Sequence, residues 1–260
     1  MRIKLELKNE GRGNIGKDYR NYFLSFLKTV FTKGNAFDQL YSTKKTKPFV
    51  FSFWLGKDFE VKEKIKIGER LSMLFSTGDS FVLTSFYNGV LSIKKQHIEI
   101  PFGDSNLKIE RITLLPLKRI TASKVLCKTV GISVLTNPDA SAKDFKKWYI
   151  IPTDDLDIFN KALKIRTNQR YRYINGKTKN FDIKLKPLSE NEFHIFKSLY
   201  KQTSLNSSIN ETVVKHYGGY LRGFRGVFFL EGDPEILQFV YDYGLGVRTG
   251  QGFGMIDIIG

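Results

Sequence analysis

Five glycines and one arginine lie close together near the end of the chain, in the segment GLGVRTGQGFG. The glycines are Gly244, Gly246, Gly250, Gly252 and Gly254, and the arginine is Arg248. Glycine permits positive φ and close approach of the backbone, and successive exposed N–H groups can form a concavity that binds an anion. A guanidinium adds a fork that matches phosphate. The segment therefore predicts a phosphate-binding loop, with a tight helix-to-strand connection as the alternative.

The spacing of these glycines excludes two common nucleotide-binding motifs. The dinucleotide fingerprint G-x-G-x-x-G follows a strand and opens a helix, whereas this loop follows a predicted helix and opens a predicted strand. The phosphate loop G-x-x-x-x-G-K-[ST] does not occur in the sequence. The partner of this loop is therefore not predicted to be a nucleotide cofactor.

A second candidate for anion binding is the stretch from Asn160 to Lys186, which contains nine Lys or Arg and one acid, Asp182. Aromatic residues alternate with the basic ones in RYRYINGK. Basic side chains hold phosphates, and aromatic or arginine planes can stack on unpaired bases. The pattern predicts RNA contacts from Arg166, Arg170, Arg172, and, in the later stretch HYGGYLRGFRG, from Arg222 and Arg225. A solvated helix face is the alternative.

The composition restricts the class of protein. The 260 residues carry a net charge of +16, which indicates a polyanionic partner such as nucleic acid, unless the whole genome is rich in lysine. One cysteine, Cys127, excludes an internal disulfide framework, and with three histidines it makes a structural zinc site improbable. No cofactor is predicted. No apolar run is long enough to span a membrane, and the N-terminus is patterned as a strand, so a cytoplasmic protein is predicted.

Periodicity predicts the same order of elements in both halves of the chain. In the first half, residues 2–8 alternate as a strand, and Asp18 is predicted to cap a helix that ends near Lys33. The remaining elements of this half are strands at 49–55 and 71–75, a helix in GDSFVLTSFYNGVLSI, and strands near Ile98 and Ile109. The second half is predicted to contain a strand at 129–135, a helix from Thr153 or Asp154, a strand at 181–185, a hairpin over 213–230, a helix in GDPEILQFVYDYG and a strand at 255–259.

The last helix of each half belongs to a weak internal repeat. GDSFVLTSFYNG and GDPEILQFVYDYG align without gaps at a constant offset of 154 residues. Both halves fit the order strand, helix, two strands, helix, strand, which is the ferredoxin-like motif. The predicted fold is α+β, with two tandem ferredoxin-like (RRM-like, β-α-β-β-α-β) domains, residues 1–120 and residues 121–260 with the C-terminal glycine-rich loop.

Four stretches resemble one known family. GLGVRTGQGFG looks like the C-terminal glycine-rich loop of the repeat-associated RAMP proteins, and YRNYFLSFL, LYSTKKTKPFVFS and FRGVFFLEGDPEILQFVYDYGLG narrow the resemblance. The group they resemble is the CRISPR repeat-RNA-processing endoribonucleases, the Cas six family. Residues of about 100 to 210 match only by the order of elements.

The resemblance implies metal-independent cleavage of precursor CRISPR RNA within its repeat. In this chemistry a 2′-hydroxyl attacks the adjacent phosphate and leaves a 2′,3′-cyclic phosphate and a 5′-hydroxyl. The reaction needs a base for the 2′-hydroxyl, an acid for the leaving oxygen and positive charge for the phosphorane.

The resemblance also implies catalytic positions, and one of them departs from the family. Tyr41 stands where many members have histidine, Lys47 matches a family lysine six residues later, and Thr29 stands where a helix tyrosine is often found. Tyrosine is a poor base unless Lys44, Lys45 or Lys47 lower its pKa, so slow chemistry is predicted. Structural roles for Tyr41 and Lys47 are the alternative.

His216 is a further catalytic candidate, because it lies in a basic aromatic stretch. His97 and His194 are interpreted as structural.

Three functions remain open from the sequence. The chain is predicted to be a repeat-RNA endoribonuclease, a catalytically weak or inactive member that binds repeat RNA, or a structural RAMP subunit of an interference complex. The predicted partners are CRISPR repeat RNA and other CRISPR-associated proteins, without a membrane, and the chain is predicted to be a monomer or homodimer.

Overall fold

The computed structural model of the chain describes residues 1–42, 46–139, 148–200 and 206–259. The chain forms two compact units. Unit 1 comprises Met1–Lys118 and two short later segments, Lys215–Tyr220 and Gly250–Gly252; unit 2 comprises Arg119–Val214, Leu221–Thr249 and Phe253–Gly260. The domain limits 1–120 and 121–260 remain a prediction, and the structure adds that two short segments of the second half pack with the first.

Unit 1 contains a five-stranded antiparallel sheet with two long helices. In chain order its elements are β1 (Arg2–Asn9), β2 (Asn14–Ile15), α1 (Arg20–Lys33), α2 (Phe37–Tyr41), β3 (Val50–Trp54), β4 (Glu60–Val61), β5 (Ile65–Lys66), β6 (Arg70–Ser76), α3 (Ser80–Lys95), β7 (Ile100–Phe102) and β8 (Ser105–Leu115). The strand order is β3-β6-β1-β8-β7. The first four of these strands have the order of the ferredoxin-like motif, with β1 central. The small sheet β2-β5-β4 was not predicted.

The core of unit 1 follows from two sequence periods. The alternating residues Ile3, Leu5 and Leu7 of β1 are buried, and the apolar stripe of α1 covers them. Helices α1 and α3 approach closely because Gly89 of α3 lies directly against the carbonyl of Val30, where a Cβ atom would clash. The confirmed order of elements therefore rests on local patterns that agree with the tertiary packing.

The start of α1 differs from the prediction. The helix begins at Arg20, and its N-cap residue Tyr19 makes no side-chain capping hydrogen bond. Asp18 does not cap the helix, because one carboxylate oxygen accepts a hydrogen bond from the backbone N–H of Gly218, 200 residues later (3.2 Å). A long-range partner has replaced the local one.

Unit 2 repeats the ferredoxin-like order. Its elements are β9 (Lys124–Thr129), α4 (Leu156–Asn175), β10 (Ile183–Pro187), α5 (Glu190–Tyr200), β11 (Ile209–His216), β12 (Gly219–Gly232), α6 (Pro234–Tyr243), a 3₁₀ turn (Thr249–Gln251) and β13 (Ile256–Ile258). The end of β11, the start of β12 and part of the 3₁₀ turn belong to unit 1. The strand order is β10-β12-β9-β13, and β11 pairs with β12 as the predicted hairpin. Helix α5 was not predicted.

Two boundaries in unit 2 also differ from the prediction. The first strand ends at Thr129 instead of spanning 129–135, because Gly131 turns the chain with φ of 103°; Ser133 and Val134 form only isolated bridges. Helix α4 is capped by Asp155, whose side chain accepts from the N–H of Ile158 (2.9 Å).

The repeated helices α3 and α6 occupy equivalent positions in the two motifs and start in the same way. Asp79 accepts a hydrogen bond from the N–H of Val82 (3.0 Å), and Asp233 accepts one from the N–H of Glu235 (2.8 Å). These caps satisfy backbone donors that a helix start leaves unpaired. Within the described ranges, no helix combines the length and the apolar character that a membrane crossing requires.

Candidate active site and RNA interface

Tyr41 and Lys47 contact each other in unit 1. Tyr41 is the last residue of α2, and Lys47 precedes β3. The ammonium nitrogen of Lys47 lies 5.0 Å from the centre of the Tyr41 ring and donates a hydrogen bond to the backbone carbonyl of Leu40. A cation is favoured both over an aromatic face and beside carbonyls at the end of a helix. The structure thus brings together the two residues that the family resemblance selected.

The protonation of this pair is set by burial. Burial, and to a smaller extent the neighbouring Tyr217, raises the pKa of Tyr41 well above its ordinary value. The phenol therefore stays protonated near neutral pH and can donate a proton but not accept one. Burial also lowers the pKa of Lys47. Among the described residues, none forms a hydrogen bond with the buried Tyr41 hydroxyl.

The backbone of the 3₁₀ turn lies against Lys47. A Cβ atom added to Gly250 would be 2.8 Å from both Cβ and Cγ of Lys47. Glycine at this position is therefore explained by close approach of the lysine stem. Gly250 belongs to the packing of unit 1, and its predicted role in contacting RNA has no support from this geometry.

His216 is buried in unit 1 and its side chain is only 1% exposed. Its Nε2 lies 3.1 Å from Oε1 of Gln251, and its Nδ1 lies 3.7 Å from Oδ1 of Asp18. Both ring nitrogens thus face side chains of unit 1, so this geometry supports a positioning role for His216 and gives no support to its predicted catalytic role. Gln251 was not predicted as a site residue, and Asp18 was predicted as a helix cap but faces this ring instead.

Arg170 holds the glycine-rich loop from inside unit 2. Its guanidinium donates to the backbone carbonyls of Gly244 (2.7 Å), Gly246 (3.0 Å) and Tyr243 (2.7 Å), and to the hydroxyl of Thr249 (3.0 Å). Burial lowers its pKa to about 10, so it remains charged at neutral pH. The predicted RNA contact from Arg170 is not supported, because its guanidinium is buried and both terminal nitrogens donate within the chain.

The other glycines of the loop are also explained by packing within the chain. Gly246 and Gly254 have positive φ, 78° and 79°, and lie against the carbonyls of Val134 and Leu245 respectively. Gly252, with φ of 85°, lies against the ring of Phe51 in unit 1. The alternative of a tight helix-to-strand connection accounts for these positions better than an open cradle for phosphate does.

Arg248 is the loop residue that still fits an anion contact. It is exposed, and it adopts a positive φ of 59°, which is uncommon for a residue other than glycine. The loop therefore carries an exposed cation, and its backbone is held by hydrogen bonds from the buried Arg170. Contact between Arg248 and RNA remains a prediction.

The remaining basic candidates differ in how far they are neutralised. Arg222 donates to the carboxylates of Asp154 (2.7 Å) and Glu211 (2.8 Å), and these two acids raise its pKa. The Arg222 guanidinium is paired with carboxylates of unit 2, so its predicted RNA contact is not supported. Arg166 is half-buried and bonds to Gln169.

Two arginines of the same group keep exposed side chains. Arg172 and Arg225 are exposed on unit 2 and remain candidates for phosphate contacts. Lys44 and Lys45 lie outside the described residues.

The comparisons with known proteins decide the family. Residues 115–258, more than half of the chain, match the family model described as CRISPR associated protein Cas6, C-terminal. The chain belongs to the Cas6 family. The match covers most of unit 2 and begins after Tyr41 and Lys47 in the chain, so the selection of those two residues rests on the N-terminal motif and on their geometry.

Similar proteins extend the likeness over the full length. The CRISPR-associated endoribonuclease Cas6 1 of Methanocaldococcus jannaschii is 22% identical over 260 residues, with 98% of this chain and 92% of the relative covered. A solved structure of a Cas6-related gene product from Pyrococcus furiosus has a TM-score of 0.77 at 23% identity and covers 100% of this chain and 98% of its own. A solved RAMP protein binding different RNA substrates has a TM-score of 0.76 at 20% identity, and both chains are covered completely. These two structures confirm the fold.

Metal ligands are not grouped in this Cas6 protein as far as the structure describes it. In residues 1–42, 46–139, 148–200 and 206–259, no three His, Cys, Asp or Glu side chains are placed together so that they could hold a metal ion. Among the described side chains, the phenol of Tyr41 contacts the Lys47 ammonium.

Proposed function

We propose that this Cas6-family chain binds precursor CRISPR RNA and cleaves it within the repeat without a metal ion. The observation that carries the proposal is the family match over residues 115–258, and the name of the M. jannaschii relative supports endoribonuclease activity. The contact between Tyr41 and Lys47 supplies a candidate for the catalytic pair.

The proposed reaction is attack of a 2′-hydroxyl on the adjacent phosphate. A bond forms between the 2′-oxygen and phosphorus, the bond to the 5′-oxygen breaks, and a proton passes from the attacking to the leaving oxygen. The products are a 2′,3′-cyclic phosphate and a 5′-hydroxyl. The Lys47 ammonium offers three N–H donors, so its contact with the Leu40 carbonyl is compatible with a contact to the charged phosphorane.

Tyr41 acts in this proposal as a hydrogen-bond donor: its buried hydroxyl has no hydrogen-bond partner among the described residues, and it donates to a phosphate or leaving oxygen once bound RNA displaces the groups that cover it. Because its pKa is raised, it stays protonated near neutral pH and does not accept the 2′-hydroxyl proton, and the ring nitrogens of His216 face Gln251 and Asp18 instead. The cleavage therefore depends on in-line placement of the RNA and on charge, and proceeds slowly compared with a histidine-dependent relative.

The second candidate function is a Cas6 protein that captures repeat RNA without cleaving it. The raised pKa of Tyr41 favours it, since the protonated phenol cannot act as a base near neutral pH. Both candidates predict binding of repeat RNA, and they differ only in turnover.

One experiment separates the candidates. The purified chain in excess is incubated in EDTA with end-labelled repeat RNA from a CRISPR array of its own genome. Cleavage at one position that leaves a 2′,3′-cyclic phosphate supports the nuclease, and a 2′-deoxy substitution before that phosphate must abolish it. Binding without cleavage supports the capture function, and neither binding nor cleavage supports a structural subunit of an interference complex. The proposed cytoplasmic location and oligomeric state, monomer or homodimer, are tested by fractionation and by sedimentation.

A further inference from the structure

The tip of the β11–β12 hairpin belongs to unit 1. The hairpin tip, Lys215–Tyr220, packs with Met1–Lys118, and a two-residue turn, Tyr217–Gly218, joins the strands. Both turn residues have positive φ, 50° for Tyr217 and 76° for Gly218. This is the backbone of a type I′ turn, in which Asn-Gly, Asp-Gly or Gly-Gly is strongly preferred.

Tyr217 is a poor choice for the turn itself. A bulky side chain in the left-handed region is a genuine outlier, and such outliers concentrate at functional sites. Its ring is also 61% exposed, so burial of apolar surface does not explain the residue. The preference of the turn therefore does not select an aromatic ring at this position, and most of the ring is accessible to a ligand.

Three side chains fix the tip in place. Asp18 accepts a hydrogen bond from the N–H of Gly218 (3.2 Å) and faces Nδ1 of His216, while Gln251 contacts Nε2 of His216. The His216 ring lies 4.5 Å from the Tyr217 ring, centre to centre. These polar groups converge on one turn and fix the backbone that carries the exposed ring.

The fixed ring lies close to the Tyr41–Lys47 pair. Gln251, which contacts His216, follows Gly250, whose backbone lies against the stem of Lys47. Tyr217 is also close enough to Tyr41 to contribute to the rise of its pKa. An exposed aromatic ring on a rigid turn is thus placed beside the proposed catalytic pair.

We propose that Tyr217 is the stacking platform for an unpaired nucleobase of the RNA next to the scissile phosphate, held by Asp18, His216 and Gln251. This inference rests on the proposed function, and it identifies the unpaired base next to the scissile phosphate as the part of the RNA that Tyr217 binds. Stacking accepts any base, because every base has a π-face, so Tyr217 contributes affinity and placement instead of sequence preference. Tyr217 is a substrate-contacting residue, and Asp18, His216 and Gln251 are positioning residues.

The test is Tyr217→Asn, which removes the ring and gives the turn its preferred Asn-Gly pair. The probe is repeat RNA made resistant to cleavage by 2′-deoxy substitution, with 2-aminopurine placed in turn at each position around the cleavage site. We expect the urea midpoint to be equal to or higher than that of the wild type, because the turn is improved. We expect affinity to fall by roughly 5- to 150-fold and the quenching of one 2-aminopurine to disappear. Tyr217→Phe should retain both.

The controls separate the inference from the proposed function. Tyr220→Thr removes another ring of the hairpin tip, 60% exposed, and should leave quenching unchanged; Tyr217→Gly gives a second variant without the ring. Wild-type binding with undiminished affinity and quenching in both Tyr217 variants would overturn the inference alone. If the wild type does not bind repeat RNA, the proposed function fails and the inference fails with it.

Discussion

At the scale of single residues, burial assigns different tasks to side chains that look alike in the sequence. Arg170 and Arg172 belong to one basic run, yet the first is enclosed and donates to three carbonyls while the second is exposed. Tyr41 and Lys47 are both displaced toward their neutral forms by partial burial. For the proposed chemistry this makes the charge of Lys47 the quantity that matters most.

Lys47→Ala should slow single-turnover cleavage by about 10²-fold or more, because it removes a charge from the phosphorane. Affinity for repeat RNA should change little. Burial lowers the pKa of Lys47 below its ordinary 10.5, so the rate advantage of the wild type over Lys47→Ala should be lost, as pH rises, earlier than for an exposed lysine.

The direction of this pH dependence distinguishes the loss of the rate advantage from unfolding of the protein. A lysine with a lowered pKa binds fewer protons when folded, so its contribution to stability increases as pH rises through the same window. The rate ratio is measured at each pH with unfolding followed in parallel. Lys47→Arg keeps its charge over this range, and its rate relative to Lys47→Ala should stay constant. A ratio of wild type to Lys47→Ala that does not change with pH would exclude the role of the ammonium.

Replacement of Tyr41 tests whether cleavage is slow because the site lacks a general base. Tyr41→His should increase the cleavage rate and introduce a pH dependence near the ordinary range of histidine, because an imidazole can accept the 2′-hydroxyl proton. Tyr41→Phe should decrease the rate less than Lys47→Ala does. Single-turnover rates between pH 5 and 8 measure both, and an unchanged rate in Tyr41→His would place the catalytic group elsewhere.

At the scale of elements, the glycine-rich connection between α6 and β13 is held by packing and by one buried cation. Its glycines approach carbonyls and rings of the same chain, and Arg170 satisfies carbonyls at the end of α6 and in the loop. The connection thus behaves as a structural element that presents Arg248.

Gly252→Ala should reduce stability more than RNA affinity. Positive φ alone costs an alanine about 1 kcal/mol, and contacts of a Cβ atom with the Phe51 and Phe53 rings at 3.0 to 3.3 Å add an overpacking penalty of about 1–3 kcal/mol. The matched control is Gly176→Ala, where φ is 66° and no atom lies within 4 Å of the added Cβ. Urea unfolding measures both, and equal losses would show that the rings yield without cost.

Arg170→Leu should be strongly destabilising, because it leaves three carbonyls without their donor. The expected loss in the free energy of unfolding is about 3 kcal/mol or more. The exposed neighbour Arg172→Leu should change stability by about 0.5 kcal/mol or less. Chemical denaturation of both variants provides the measurement, and similar values for the two would contradict the structural role of Arg170.

At the scale of the whole molecule, the charge of +16 is spread over groups that differ in availability. Arg222 is neutralised by Asp154 and Glu211, whereas Arg172 and Arg225 are exposed. Only the available cations can release counterions when RNA binds. The salt dependence of binding therefore reports which part of the charge is functional.

The variant Arg172→Gln with Arg225→Gln should flatten the dependence of log affinity on log salt. Each lost phosphate contact changes the slope by about 0.7 for single-stranded RNA, so a change of about 1.4 is expected. The control is the double replacement of Lys57 and Lys64 by Gln, because these lysines are exposed on unit 1 and the control removes the same amount of charge as the arginine variant. If the slope of the Arg172→Gln, Arg225→Gln variant matches that of the wild type, Arg172 and Arg225 belong to a solvated face.

The sequence by itself determined the order of elements and the pairing of the two motifs. Alternation in β1, helical spacing in α1 and the Asp caps of α3 and α6 are local properties, and each acts over one or two turns of chain. The family resemblance added Tyr41 and Lys47, because their spacing in the sequence is short. These predictions required no knowledge of how distant segments meet.

Only the tertiary structure decided which polar side chains are enclosed. Asp18 has the sequence pattern of a helix cap, but its carboxylate binds a turn 200 residues away. Arg170 has the pattern of an RNA contact, but carbonyls more than 70 residues away occupy its guanidinium. His216 and Tyr217 are adjacent in sequence, and one is buried while the other is exposed. Burial depends on what packs against a residue, and local periodicity carries no information about partners so far along the chain.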